Sequence, residues 1–427
     1  MRRTATRAVI AAAAATVAAG LAATTVLAKS EPGGGNAWPY APAGPAPVLV
    51  TVGDIACQPD ANNTGPETGK PGSTCTVSGS NLRNQAMAAT ANEVEAMHPS
   101  LVAVLGDEQY QVGTYADFEG SFDKTYGAFK FLQRPAPGNH EFYDEHGEKG
   151  DGGVGYFDYY NGLQLDPQTG QLVTASDPSG NYVQPVPRSY GQAGQAGQGW
   201  YSYNLGSWHI ISLNVECAVT DPSFASCANM PAWFGQETQW LSQDLSGDHA
   251  ACTLVYWHQP SFSASGAPAS ATQPGPDGPE GNAAQQLWWP MLYRHGVDVV
   301  LNGHEHLYAR FAPMDASGNP DPRHGIRQFI VGTGGESLDS LYTDPAGNVD
   351  VPNLQAGQGA GTSYQNGQST PDFAGAFEVM KMTLGEHGYT WDYESAAAPA
   401  TSSGSPAWGS FGDSGAASCH GAPGGSA

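Results

Sequence analysis

The chain has 427 residues, and its 16 Lys and Arg against 40 Asp and Glu leave a formal net charge of -24. That length suits one large domain or two ordinary ones and can bury a substantial core without disulfides. The acidic balance excludes general affinity for nucleic acid or anionic membranes, and a site for an anionic substrate needs its own local positive charge.

The N-terminus reads as an export signal. Arg2, Arg3 and Arg7 form a basic flank, Val9 to Leu27 is an Ala-rich apolar stretch, and Val26-Leu27-Ala28 offers small residues for cleavage after Ala28. The stretch is nearly long enough to span a bilayer. Ala is only weakly apolar, however, and the flank is rich in Gly and Pro, so residues 1–28 are read as a signal peptide and 29–47 as a linker. Arg2-Arg3 invites a twin-arginine reading, weakened by Thr4-Ala5 where a bulky apolar pair belongs. No later segment is apolar enough to cross a membrane, so a secreted location without membrane contact after cleavage is expected. Six cysteines fit an oxidising compartment. Proximity suggests Cys57–Cys75 and Cys217–Cys227, leaving Cys252 with Cys419, though many pairings stay open. Their spacings match no zinc motif.

The folded part, 48–395, starts with a buried-strand pattern from Pro47 to Val52, ending at Gly53-Asp54. Asn81 to His98 reads as a helix stopped by Pro99. Leu101 to Leu105 is a second buried strand, closing on Gly106-Asp107-Glu108-Gln109-Tyr110, and Tyr115 to Leu132 reads as another helix. Trp200 to Leu205 and Trp208 to Leu213 alternate like an antiparallel pair around Gly206-Ser207. Gln236 to Leu245 reads as a helix, Thr253 to Trp257 as a strand ending at His258, Ala283 to His295 as a helix, and Val297 to Leu301 as a strand before Gly303-His304-Glu305-His306. Late strands are expected at Ile326 to Val331, Ala376 to Leu384 and Tyr389 to Tyr393. The mixture predicts an α/β fold with two facing mixed sheets and helices outside. Gln164 to Gly199, Ser261 to Gly281 and Asp339 to Asp372 read as long surface loops, the one after His258 as the rim of a site. Residues 396–427 read as an irregular tail tied down through Cys419.

In α/β sheets, ligands bind beyond the carboxyl ends of strands. Asp54, Asp107, His258 and His304 each sit at such an end. Asp107 can bridge two cations, one oxygen to each, and His304 and His306 alternate across Glu305 so that both imidazoles can face one site. Neutral imidazole and carboxylate suit Zn, Mn, Fe or Ni. Taken singly, each residue has a plainer reading. An Asp after a strand is most often a turn or cap residue, Asn139-His140 fits a turn, and Tyr110 fits an ordinary aromatic. His209 and His249 match no motif and are read as structural. It is the joint occurrence of these clusters, in order and at strand ends, that points to metal-dependent hydrolysis.

With Gly138-Asn139-His140-Glu141, Trp257-His258 and Val331-Gly332-Thr333-Gly334-Gly335, that order resembles the calcineurin-like metallophosphoesterase superfamily, and within it the purple acid phosphatases and their secreted bacterial relatives. The usual opening Asp-x-His reads Asp54-Ile55-Ala56 here, while Gly106-Asp107-x-x-Tyr110 supplies a phenol instead. The resemblance implies a four-layer α/β/β/α sandwich and two metal ions. The first would take Asp54, Asp107, Tyr110 and His306, with Fe(III) favoured by the phenolate. The second, Zn, Mn or Fe(II), would take Asp107, Asn139, His258 and His304. It implies hydrolysis of small phosphate monoesters by a metal-bound hydroxide, with His140 stabilising the transition state or protonating the leaving oxygen. Relatives often carry a second histidine after the one matching His258. This chain has Gln259, read as a substrate contact that donates a hydrogen bond but shuttles no proton. Too few residues precede Val48 for the β-sandwich domain of plant-like members, so a single-domain form is expected. A phosphodiesterase or nucleotidase of the same fold, and a non-catalytic secreted metal-binding module, are the alternatives. The oligomeric state is not legible.

Overall fold

A computed structural model describes residues 45–59, 82–143, 152–176, 183–216, 235–265, 283–398 and 407–420. The expected signal peptide, most of the linker, and Cys75, Cys217 and Cys227 lie outside the described residues.

Short apolar runs form the centre. Val48–Val52, Leu101–Val104, Cys252–Tyr256 and Val299–Asn302 are buried along nearly their whole length, because both of their faces are covered. They sort into two sheets. The first has six strands in the order Gly412–Ser418, Gly388–Ser395, Glu378–Leu384, Val48–Val52, Leu101–Val104, Gln133–Pro135, with the last three mutually parallel. The second has nine strands and a parallel centre of Trp208–Ser212, Cys252–Tyr256, Val299–Asn302 and Arg327–Val331.

The sheets pack face to face. Leu49, Leu101, Ala103 and Leu105 of the first meet Leu254, Tyr256, Val299 and Leu301 of the second in one core cluster. On the outer face of the nine-stranded sheet, Leu241, Trp288, Trp289 and Leu292 of the helical segments cover Val255 and Val300. On the outer face of the other, the Leu82–Ala96 helix and a run of Phe and Tyr residues cover Val50, Val102 and Val104. The expected sandwich of two mixed sheets between helical layers is therefore the observed one.

Four local expectations are corrected. Tyr115 to Leu132 is not one helix: α-helix Tyr115–Gly120 gives way to 3₁₀ turns at Phe122–Lys124 and Tyr126–Leu132. Gly120, Ser121 and Thr125 weaken the helix there, and Phe118, Phe122, Tyr126 and Phe129 pack as an aromatic chain. Gln164 to Gly199 holds two small hairpins, Thr174–Ser176 with Val183–Pro185 and Tyr190–Gly191 with Gly194–Gln195. Asp339 to Asp372 is not all loop. Leu354–Gly359, Gly361–Gln365 and Gln368–Phe373 extend the large sheet outward: the first is buried but rich in Gly and Gln, and the outer two are exposed or half-exposed and polar, so none shows a hydrophobic pattern. Nor is the tail irregular throughout. Gly412–Ser418 adds an edge strand along Gly388–Ser395, anchored by the Cys252–Cys419 disulfide and by Asp413 against Arg310 at 2.6 Å. The Cys252–Cys419 pairing is the one expected, and Cys57 is also disulfide-bonded.

Candidate metal centre

The strands of the two sheets that run parallel deliver their C-terminal loops to one place. Three of the residues there adopt left-handed backbone without being glycine: Asp54 (φ 61), Asp107 (φ 48) and His304 (φ 70). Such conformations are costly for side-chain-bearing residues and cluster at functional sites. Gly106 (φ +89) is required beside them, since a Cβ there would lie 2.5 Å from His258 Nδ1.

The seven expected ligands converge. The Tyr110 hydroxyl lies 2.9 Å from Asp54 Oδ1, 2.9 Å from Asp107 Oδ2 and 3.0 Å from His306 Nε2. A second group forms around Asn139 Oδ1, which is 3.2 Å from His258 Nε2 and 3.1 Å from His304 Nδ1. Asp107 Oδ2 belongs to both, standing 3.1 Å from His258 Nε2 as well. Asp107, His258 and His304 each bring a ligand atom within 4.8 Å of the others.

Tautomers follow from the partners. His258 Nδ1 faces the Leu105 carbonyl at 2.8 Å and His306 Nδ1 the Ser337 carbonyl at 2.7 Å. A carbonyl only accepts, so each Nδ1 carries hydrogen and a neutral ring turns an Nε2 lone pair inward, the arrangement typical of metal-ligating histidine. His304 approaches through Nδ1 instead, 3.3 Å from His258 Nε2. A pocket in which carboxylate, amide and imidazole acceptors face one another at this range fits cations, which relieve the mutual repulsion. Cys252, Asp298 and Cys419 also lie within 4.8 Å of one another, but both sulfurs are used in the disulfide.

The electrostatics are those of a buried charge cluster. Burial raises the Asp54 carboxyl to about 6, against the pull of His306 and His258. Burial acts the same way on Asp107, but His258 and His140 hold it well below the carboxylate range. For His258, burial opposes the charge while Asp107 overrides it, pushing the ring to about 10. His304 is driven well down by burial and by the neighbouring His258. Burial and the adjacent Asp107 and Asp54 carboxylates push the Tyr110 phenol well above its usual range.

His140 packs its ring on Tyr110 at a centroid distance of 4.2 Å. Its Nδ1 faces the Gln111 carbonyl at 2.9 Å and its Nε2 lies 3.9 Å from Asp107 Oδ2. Gln259 is placed differently from the expectation of a substrate contact. It is 3% exposed and its amide donates to Glu216.

Two supporting carboxylates were quoted in the motifs without a role. Glu141 accepts the backbone N–H of Asp107 at 2.9 Å, of Gln109 at 3.2 Å and of Gly138 at 2.8 Å, tying two ligand loops together. Burial and nearby Asp107 raise its carboxyl to about 8. Glu305 accepts the Ser263 hydroxyl and the N–H groups of Ala264 at 2.8 Å and Ser265 at 3.1 Å, fixing the loop after His258. A Glu inside a Gly/His-rich strand end was the available signal. His209, read as structural, pairs with Asp244 at 2.7 Å away from the centre.

The calcineurin-like phosphoesterase family model matches residues 81–308. Purple acid phosphatase 18 of Arabidopsis thaliana is 27% identical over 162 residues, 37% of this chain and 32% of that protein. Acid phosphatase A of Cryphonectria parasitica is 25% identical over 161 residues, 33% of this chain and 29% of that protein. The matched stretch thus spans about a third of the length of these curated relatives. Among solved structures, one titled "Structure of PhoD" aligns with a TM-score of 0.51 at 13% identity, covering 90% of this chain and 71% of that chain, a likeness of fold.

Proposed function

The chain belongs to the calcineurin-like phosphoesterase family, and from that premise we propose that it is a secreted phosphomonoesterase working with two metal ions. The observation that carries this is the convergence of seven N and O donors on two adjoining points that share Asp107.

Asp54, Asp107, Tyr110 and His306 would hold one cation, and Asp107, Asn139, His258 and His304 the other. Bound there, a cation pair supplies Lewis acidity that polarises a phosphoryl oxygen and acidifies water. The protein's part is orientation. Leu105 and Ser337 carbonyls fix the His258 and His306 tautomers, and Glu141 sets the Asp107 and Asn139 loops. The buried Tyr110 phenol keeps its proton at neutral pH unless a cation sits at its oxygen, so phenolate binding calls for a strong Lewis acid such as Fe(III) at that position. Zn, Mn or Fe(II) suits the other. His140, whose Gln111 hydrogen bond places the ring proton on Nδ1, turns Nε2 toward the pocket, within reach of a transferring phosphoryl group or leaving oxygen. Gln259 acts by holding Glu216 behind His258. Export is supported by the basic and Ala-rich N-terminus and by the Cys252–Cys419 disulfide. Among the described residues no helix is long and apolar enough to cross a membrane.

The test is metal analysis of the purified protein together with turnover of p-nitrophenyl phosphate and its bis-ester. Two equivalents of metal and chelator-sensitive monoester hydrolysis are expected. Hydrolysis of the bis-ester alone would replace the monoesterase reading by a diesterase, and no hydrolysis of either by the metal-loaded protein would leave a binding module.

A further inference from the structure

Resting on the phosphoesterase reading, we propose that Gln58 and Gln109 are positioning residues for His140, because together they hold both polar groups of the peptide that joins ligand Tyr110 to Gln111. Gln109 Nε2 donates to the Tyr110 carbonyl at 2.5 Å, and Gln58 Oε1 accepts the Gln111 N–H. The next carbonyl along the chain, that of Gln111, lies 2.9 Å from His140 Nδ1. Ring contacts with Tyr110 at 4.2 Å and Tyr143 at 5.2 Å restrict the plane of the imidazole. They do not choose between the ring and its half-turn flip, which would trade Nδ1 for a carbon. The Gln111 acceptor makes that choice, and with it the direction of Nε2.

Both amides are fixed in their sense by their partners. Gln109 Nε2 also donates to the Cys57 carbonyl at 3.2 Å, while its Oε1 accepts the Phe122 N–H at 3.2 Å. Gln58 must present its oxygen, since a peptide N–H only donates. Gln58 is 3% exposed, and Gln109 and Gln111 are fully buried. A buried amide costs free energy unless it is hydrogen-bonded, so filling space alone favours an apolar side chain at both positions. The two glutamines stand where the two groups of one peptide need partners. Gln58 comes from the loop of Asp54 and Gln109 from the loop of Asp107 and Tyr110, and the loops pair at Ala56 and Gln109. The ring of His140 is thereby held in register with the two loops that carry those three ligands.

The experiment is a double-mutant cycle on the metal-loaded full chain, with Gln58→Met, which keeps the length and loses the acceptor, against His140→Ala. In Gln58→Met, kcat for p-nitrophenyl phosphate and propyl phosphate should fall roughly 10-fold with little change in KM. Gln58→Met should cost nothing further once His140 is Ala. Gln58→Glu, which restores an acceptor, should recover most of kcat. Metal content should match the wild type, because Tyr110 keeps its N–H on the Ala56 carbonyl at 2.8 Å. In metal-free protein labelled with ¹⁵N at histidine, the His140 ring should report hydrogen on Nδ1 in the wild type and a mixture of tautomers in Gln58→Met. If Gln58→Met does not fold, Gln58→Asn, whose amide stops short of the Gln111 N–H, enters the same cycle. Equal losses with and without His140, loss of metal from the variant, or an unmoved tautomer overturns the positioning role and leaves the phosphoesterase reading standing. Failure of the wild type to hydrolyse either ester overturns both.

Discussion

Glu141 receives the backbone N–H of Asp107 at 2.9 Å and that of Gly138 at 2.8 Å, so one buried carboxylate fixes the loop of the shared ligand and the loop of Asn139 together. Glu141→Ala would strand those donors and the Gln109 N–H. Outer-shell partners of this kind are worth about 10–100-fold in metal affinity, and stranded buried donors cost on the order of 1–3 kcal/mol each. Metal titration and urea unfolding of the variant should show both losses; unchanged metal affinity would mean the loops hold themselves.

Tyr110→Phe removes one oxygen and keeps the ring that packs at a tilt against His140. The fold should survive, because the ring fills the same space. A visible charge-transfer band in the iron-loaded protein should vanish, and metal content at that position should fall. A band of full intensity in the variant would place the chromophore elsewhere.

The C-terminal strand offers a stability test far from the chemistry. Arg310 Nε lies 2.6 Å from Asp413 Oδ2, its Nη2 lies 3.0 Å from Oδ1, and Tyr308 donates to the same carboxylate at 2.6 Å. Asp413→Ala takes the carboxylate from a part-buried guanidinium that keeps only Gln355, a loss below the about 3–5 kcal/mol of a fully buried pair. The midpoint of denaturant unfolding should move accordingly. The double variant with Arg310→Met should recover part of the loss.

His209 provides a pH signature. Burial opposes its charge, but Asp244 at 2.7 Å raises its pKa above the ordinary 6.5. The raised value in the folded state means the pair's stabilisation is fully present below about pH 6.5 and fades as the pH climbs through the folded pKa. His209→Gln should therefore lower Tm more at pH 5.5 than at pH 9. A Tm difference that is the same at both pH values would show that the ring stays neutral.

Most of the centre was legible because its residues carry unusual chemistry at strand ends marked by buried apolar runs. Asp54 and Asp107 close runs of four or five apolar or β-branched residues, and His304-Glu305-His306 follows Val299–Asn302. What escaped was set by partners rather than by local pattern. The strand Gly412–Ser418 is made of Gly, Asp, Ser and Ala, and it pairs because Asp413 and Cys419 meet residues more than a hundred positions away. The outward strands Gly361–Gln365 and Gln368–Phe373 lack apolar alternation for another reason: an edge with solvent on its faces needs none. Gln259 looked like a substrate contact from its place after His258, and only the fold reveals that its amide turns to Glu216.

Asp54, Asp107, Tyr110 and Asn139 hang from the six-stranded sheet, whereas His258, His304 and His306 hang from the nine-stranded one. Ions gripped by both sets would rivet one layer to the other. Loading the protein with metal should then lift its melting temperature, with a rise that continues roughly as the logarithm of free metal once the sites are filled, and stripping the ions should loosen the seam between the sheets before either sheet comes apart.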